Sequence, residues 1–290
     1  MYVKKKTLLV GSLFSGIGSF EHALNIMNVK HKIVFACDIC KFVKKNYFIN
    51  YNIDESRWFN NISNLNGTLF KDIDIIVGGS PCQSFSLLGK YNGLEDKRGN
   101  LIFEYIRIIK EASPKIFIFE NVRGLLSQNN GETFEILLNN LKSLKYKIKY
   151  SVLNGKHYGI PQSRNRLFII GIKHNKNINI IFPPPQVKLQ KTVTDFLEVN
   201  INNKYFLSTK GSCNVIKESK KTKWKNAQIN SDIAMCQRKY QQFNGHGDFI
   251  EVNNRIRRLS PRECLRMMGF KDCFRINTSD YRMYQQSGNS

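Results

Sequence analysis

Six short apolar runs, at residues 8–13, 32–36, 73–77, 116–120, 147–153 and 167–172, alternate with segments of helical periodicity such as 20–27, 101–111 and 133–144. Strand-length runs separated by helix-length segments have few solutions. The strands line up as a mostly parallel sheet, and helices cover both of its faces. The fold class expected is therefore α/β. In such sheets the chemistry sits in the loops at the carboxyl ends of the strands. Phe182-Pro183-Pro184-Pro185 is a stiff break that marks a domain boundary near residue 182. Beyond it, from about 186 to 257, periodicity fades and the chain turns polar and irregular. At 290 residues and 41% apolar content, the chain can bury one large core and a smaller one.

Three of the loops carry reactive or ligand-binding residue types. After the run at 73–77 comes Gly78-Gly79-Ser80-Pro81-Cys82-Gln83-Ser84-Phe85-Ser86. A reduced thiol at a strand's carboxyl end makes Cys82 a candidate nucleophile. After the run at 116–120 comes the acidic Glu120-Asn121-Val122. After the first run comes Phe14-Ser15-Gly16-Ile17-Gly18, which opens a helix and lets the backbone approach a ligand closely. The third glycine of a dinucleotide fingerprint is absent, because Glu21 occupies its place. Asp38 follows the second run, about 20 residues past the glycine loop, where a carboxylate can hold a ribose diol. Together these residues indicate a nucleoside cofactor other than a dinucleotide. Taken alone, Asp38 is better explained as a cap on the next helix. Cys37-Asp38-Ile39-Cys40 spells C-x-x-C but lacks the partner pair that a zinc or redox site needs.

The net charge of +23, from 45 basic and 22 acidic residues, points to a polyanionic partner. An AT-rich genome would also enrich Lys, Asn and Ile. In the polar segment, Gln241, Gln242, Asn244 and His246 carry donors and acceptors close to glycines, and so are candidate base readers. Shaping the loop is an equally good account of them. No apolar run reaches 18 residues, the N-terminus has no secretory pattern, and an odd seven cysteines suit reduced thiols. The expectation is a cytoplasmic protein, associated with the nucleoid through DNA, with no membrane segment. The five histidines lack metal-ligand spacing, so no metal site is expected.

Taken in order, these pieces closely resemble the DNA (cytosine-5) methyltransferase family of the bacterial and phage restriction-modification type. The resemblance runs from the glycine loop to the last residue. Its most specific parts are Pro81-Cys82-Gln83, Glu120-Asn121-Val122 and Gln162-Ser163-Arg164-Asn165-Arg166, then Arg258-Leu259-Ser260-Pro261-Arg262-Glu263-Cys264 with Met268-Gly269-Phe270, and the terminal Gly288-Asn289-Ser290. The fold it implies is the Rossmann-like mixed sheet of S-adenosylmethionine-dependent methyltransferases, helices on both faces, plus a smaller irregular target-recognition domain. It places the catalytic domain at 1–182, with 284–290 returning to it, and the target-recognition domain at 183–283.

The resemblance also implies roles. Cys82 attacks cytosine C6 and turns C5 into a nucleophile, Glu120 acts near N3, and Arg166 with Arg164 holds O2 and steadies Glu120. S-adenosyl-L-methionine is the implied methyl donor and S-adenosyl-L-homocysteine the product, bound by Phe14, Gly16, Ile17, Gly18, Asp38, Ile39, Asn61, Ile62, Pro81, Leu101, Asn289 and Ser290. Ser86 joins the candidate base readers as a DNA contact. The base must be flipped from the duplex to be reached. Double-stranded DNA is the implied partner, and a cognate restriction endonuclease is a candidate one.

The sequence departs from the family at three places. Asn61 stands where Asp is common, Ser12 replaces a frequent Asp before the glycine loop, and the sequence stops at Ser290, where family members continue into a closing helix. The expectation is an equipped active site loosened around the cofactor pocket, with a chain supplying that helix as a candidate partner. Two other readings stay open: a tRNA cytosine-5 methyltransferase, whose Cys-Phe-Thr signature is not found here, and a non-catalytic DNA-binding relic or subunit of a split enzyme.

Overall fold

The computed structural model describes residues 7–81, 101–173, 178–185, 189–223, 226–239 and 245–290. The chain divides into two compact units, Met1–Leu153 with Arg166–Pro183, and Asn154–Asn165 with Pro184–Ser290.

In the first unit, β1 (Leu8–Leu13), α1 (Ser19–Ile26), β2 (His31–Cys37), α2 (Lys41–Asn50), β3 (Trp58–Phe59), β4 (Ile75–Gly78), α3 (Leu101–Ala112), β5 (Ile116–Val122), α4 (Glu132–Ser143), β6 (Tyr146–Asn154) and β7 (Asn165–Lys173) follow one another. They build a seven-stranded sheet in the order β3-β2-β1-β4-β5-β7-β6. β1 lies parallel to both β2 and β4, and β4 lies parallel to β5, while β7 runs antiparallel to β5. All six expected apolar runs become strands. α2 and β3 were not anticipated, because α2 is rich in Lys and Asn with little apolar stripe and β3 is two residues long.

The core explains the helices. α3 turns Ile102, Tyr105, Ile106 and Ile109 inward, at the spacing of one helical face. Tyr105 packs edge-on against Phe117 and Phe119 of β5. Burial along β5 alternates residue by residue, so Phe117 and Phe119 enter this core while Ile118 and Glu120 face the other way. β5 also runs two residues further than expected. The antiparallel β7 supplies partners for Asn121 and Val122, so Glu120-Asn121-Val122 lies on the strand and not in the loop after it.

The second unit is more regular than its composition suggests. It contains α5 (Thr209–Ser219), β8 (Ala227–Ile229), β9 (Gly247–Val252), β10 (Arg255–Arg258), α6 (Pro261–Arg266) and α7 (Asp280–Asn289). β9 and β10 form a hairpin with Val252 opposite Arg255, and Asn253 and Asn254 both sit at positive φ. That is a two-residue turn of the kind asparagine favours, and the Asn-Asn pair was its legible signal. α6 starts from a capping box. Ser260 Oγ accepts from Glu263 N, and Glu263 returns a carboxylate oxygen to Ser260 N, with Pro261 in the first turn. Glu263 is fully buried and is paired in two-pronged fashion by the equally buried Arg257, at 2.8 and 2.9 Å. The terminal segment groups with this unit and not with the first, where the sequence reading had 284–290 return. The reason is packing: Tyr284 donates its hydroxyl to Leu259 O at 2.7 Å, and its ring joins the core cluster of Leu259, Cys264 and Met267. No helix among the described residues is long and apolar enough to cross a membrane.

Candidate active site

Four parallel strands of the first unit, β1, β2, β4 and β5, end on one rim of the sheet, and Gly16, Asp38 and Glu120 lie at or just past those ends. The glycine loop after β1 is tied to the end of β2. Ser15 N donates to Cys37 O at 2.9 Å, and Cys37 N donates to Ser15 Oγ at 3.0 Å. Asp38 completes the tie, since its Oδ2 accepts from Gly16 N at 3.0 Å and its Oδ1 from Cys40 N at 2.9 Å. Asp38 thus bridges the glycine loop to Cys40, the residue before α2, while α2 itself starts without a side-chain cap. Burial pushes its carboxyl up, against the two amides that pull it down. Each oxygen carries one amide bond and retains acceptor capacity, which suits a diol.

The glycines differ in what surrounds them. Gly16 has φ +54°, and a Cβ built there would meet nothing within 4 Å among the described residues. Gly18 has φ +81°, and a Cβ there would strike the Tyr51 ring at 2.2 Å, while Tyr51 Oη donates to Gly18 O at 2.6 Å. Among the described residues, Gly16 therefore presents an open face beside Asp38. Phe14, at φ 52°, packs half-buried against the main core. Ile17 is fully buried and Ile62 nearly so. Ile39 is 85% exposed. Asn61 caps the short turn after it, accepting from Ser63 N at 3.0 Å. Leu101 begins α3, half-buried against the core. Cys37 of the C-x-x-C pair is buried, and burial pushes its thiol up to about 12, so it does not serve as a ready thiolate.

On the same rim, Arg166 Nε donates to Glu120 Oε1 at 2.9 Å, with side chains 16% and 30% exposed. The register explains the meeting. Glu120 lies opposite Phe168 and Val122 opposite Arg166, so Glu120 and Arg166 are diagonal neighbours on one face of the β5–β7 pair. Gly79, after β4, packs directly on the acid: a Cβ there would lie 2.2 Å from Glu120 O and 3.0 Å from Oε2. Asn121 Nδ2 donates to Ser80 O at 2.9 Å and so pins the segment that leads through Pro81 to Cys82. Sequence reasoning gave no role to Gly79, Asn121 or Tyr51. The first two stood inside quoted motifs, whereas Tyr51 had no signal.

Cys82, Ser86, Gln241, Gln242 and Asn244 lie outside the described residues. Arg164, Asn289 and Ser290 belong to the second unit. There the Arg164 guanidinium donates to Gln237 O at 2.9 Å and to the carbonyls of Gly288 and Ser290. Arg166 is thus the arginine that meets Glu120, and Arg164 is a clasp on main-chain carbonyls. His246 lies half-buried just before β9. Among the described residues, no three His, Cys, Asp or Glu side chains gather as a metal site would require.

The C-5 cytosine-specific DNA methylase family model matches residues 8–290. The chain belongs to this family. It is 38% identical over 200 residues to the orphan methyltransferase M.SPRI of Bacillus phage SPR, an alignment that covers 68% of this chain and 45% of that protein. To the type II methyltransferase M.SsoII of Shigella sonnei it is 33% identical over 301 residues, covering 96% of this chain and 75% of the relative. The chain spans about half the length of the Bacillus phage methyltransferases it matches. The structure of a Spodoptera frugiperda DNMT2 variant superposes with a TM-score of 0.81 at 20% identity, over 98% of this chain and 96% of that one. This likeness establishes the methylase-family fold.

Proposed function

We propose that this family member transfers a methyl group from S-adenosyl-L-methionine to C5 of a flipped cytosine in double-stranded DNA and releases S-adenosyl-L-homocysteine. One observation carries the reading: Glu120 and Arg166 meet at 2.9 Å against the Gly79-Ser80-Pro81 segment, whose next residue is Cys82. The bound donor supplies an electrophilic methyl group. The chain's residues do the rest. Asp38 and the open face of Gly16 hold the donor's nucleoside and methionine parts. Cys82 adds to C6, Glu120 hydrogen-bonds the ring at N3, and Arg166 keeps the acid aimed. After transfer, loss of the C5 proton expels Cys82 and restores the aromatic ring. Asn121 and Gly79 act as positioning residues, fixing the Cys82 loop relative to Glu120.

On this reading the catalytic work belongs to 1–182 and target recognition to 183–283. The protein works in the cytoplasm, on DNA cut by a cognate restriction endonuclease when the methyl mark is missing. Transfer of labelled methyl to unmethylated duplex DNA, with Cys82→Ala and with tRNA in parallel, tests it. Incorporation into DNA that vanishes in Cys82→Ala is expected. Incorporation into tRNA alone, or incorporation that survives the substitution, would refute it.

A further inference from the structure

Two glutamines lie side by side in the second unit, and they differ in a way that calls for a cause. Gln162 is 1% exposed and bonded at both ends: its Oε1 accepts from Gln237 N at 3.0 Å, and its Nε2 donates to Met267 O at 2.7 Å. Gln237 is 2% exposed, and neither its Nε2 nor its Oε1 has a hydrogen-bond partner among the described residues. A buried primary amide left wholly unpaired costs stability, and native interiors rarely contain one without a reason.

The backbone around Gln237 is not slack. Ala234, three residues earlier, exchanges main-chain bonds with Pro161 and Ser163. Gln237 O accepts from Arg164, and the absence of a side chain at Gly288 lets the Arg238 backbone lie against α7, since a Cβ there would sit 2.4 Å from Arg238 C. The main chain is fixed on three sides while the amide it carries meets no partner among the described residues. An apolar residue of the same length would fill the position more stably. Exposed Arg238 and Lys239 follow immediately, supplying cations of the kind that anchor phosphates.

We propose that Gln237 is a specificity-determining residue, whose carboxamide turns from this unpaired position to a base edge of the duplex substrate that offers one donor and one acceptor, as adenine does in the major groove. The inference rests on the reading of this chain as a DNA methyltransferase. The unpaired amide of the free protein is then the cost of holding a reader ready, recovered when the base arrives.

The test compares wild type with Gln237→Met, which preserves length and removes both polar ends. Thermal unfolding of the free proteins is measured first, then methylation of unmethylated plasmid DNA mapped base by base. The expected variant melts no lower than wild type, methylates preferred sites about tenfold to a hundredfold more slowly, and tolerates substitution at one A·T position. A variant that melts lower and keeps the wild-type rate and base preference would overturn the proposal, because the amide would then be serving the free fold. If wild type methylates no DNA, the activity reading fails by itself. Fluorescence anisotropy on the same DNA then decides on Gln237: weaker binding by the variant supports it, and equal affinity overturns it.

Discussion

Gly16 and Gly18 lie two residues apart in one loop, yet alanine should damage them in different ways. Both have positive φ, so either substitution incurs about 1–2 kcal/mol of left-handed backbone strain. At Gly16 nothing else is added, because no atom of the described residues lies within 4 Å of the new methyl. At Gly18 the methyl falls 2.2–2.8 Å from the Tyr51 ring, and overpacking of that kind adds about 1–3 kcal/mol. Displacing the ring also weakens the Tyr51 hydroxyl bond to Gly18 O, worth about 1 kcal/mol. Gly18→Ala should therefore cost about 3–6 kcal/mol, against about 1–2 kcal/mol for Gly16→Ala. Binding should order the other way, since the Gly16 methyl occupies the open face where the donor would lie. Urea unfolding reads the first quantity, and calorimetric titration with S-adenosyl-L-homocysteine reads the second. Gly16→Ala should keep most of its stability and lose at least about tenfold in affinity, or about 1.4 kcal/mol. Adding Tyr51→Ala to Gly18→Ala should relieve the packing loss and leave the strain. Equal destabilisation by the two alanines, or unchanged affinity in Gly16→Ala, would refute the reasoning.

Two more expectations follow from buried charge. Burial raises the Glu21 carboxyl, against hydrogen bonds from Ser12 and Tyr47 that lower it. A raised folded value means that its stabilising contribution is complete below the ordinary carboxyl range and fades as pH climbs through that value. Glu21→Gln should flatten the decline of the urea midpoint as pH rises above the ordinary carboxyl range, and parallel curves for variant and wild type would contradict this. Arg257→Met would leave the Glu263 carboxylate unpaired in the interior, at a cost of about 3–5 kcal/mol. A loss below about 1 kcal/mol in chemical denaturation would show that the pair is dispensable.

The parallel half of the sheet was legible because each strand was a continuous apolar run with turn residues at its end. The loops that follow such strands were legible for the same reason, and Gly16 with Asp38 and Glu120 with Arg166 do meet. The register that brings Glu120 to Arg166 was not readable, because β7 had to be known to run antiparallel beside β5. Arg164 and Arg166 look equivalent in the sequence, yet one pairs with an acid and the other clasps carbonyls of its own unit. In the second unit, polar composition hid strands that need only three to six residues and an Asn-Asn turn.

β7 comes after β6 in the chain but lies between β5 and β6 in the sheet. During synthesis, β5 therefore stands as an open edge until β6 has been made and the chain has turned back. Glu120 waits without its guanidinium through that interval, whereas the Gly16–Asp38 tie needs only the first two strands. A nascent chain can thus form the Gly16–Asp38 tie early and the Glu120–Arg166 pair late. A chain stalled before β7 would hold the first contact without the second.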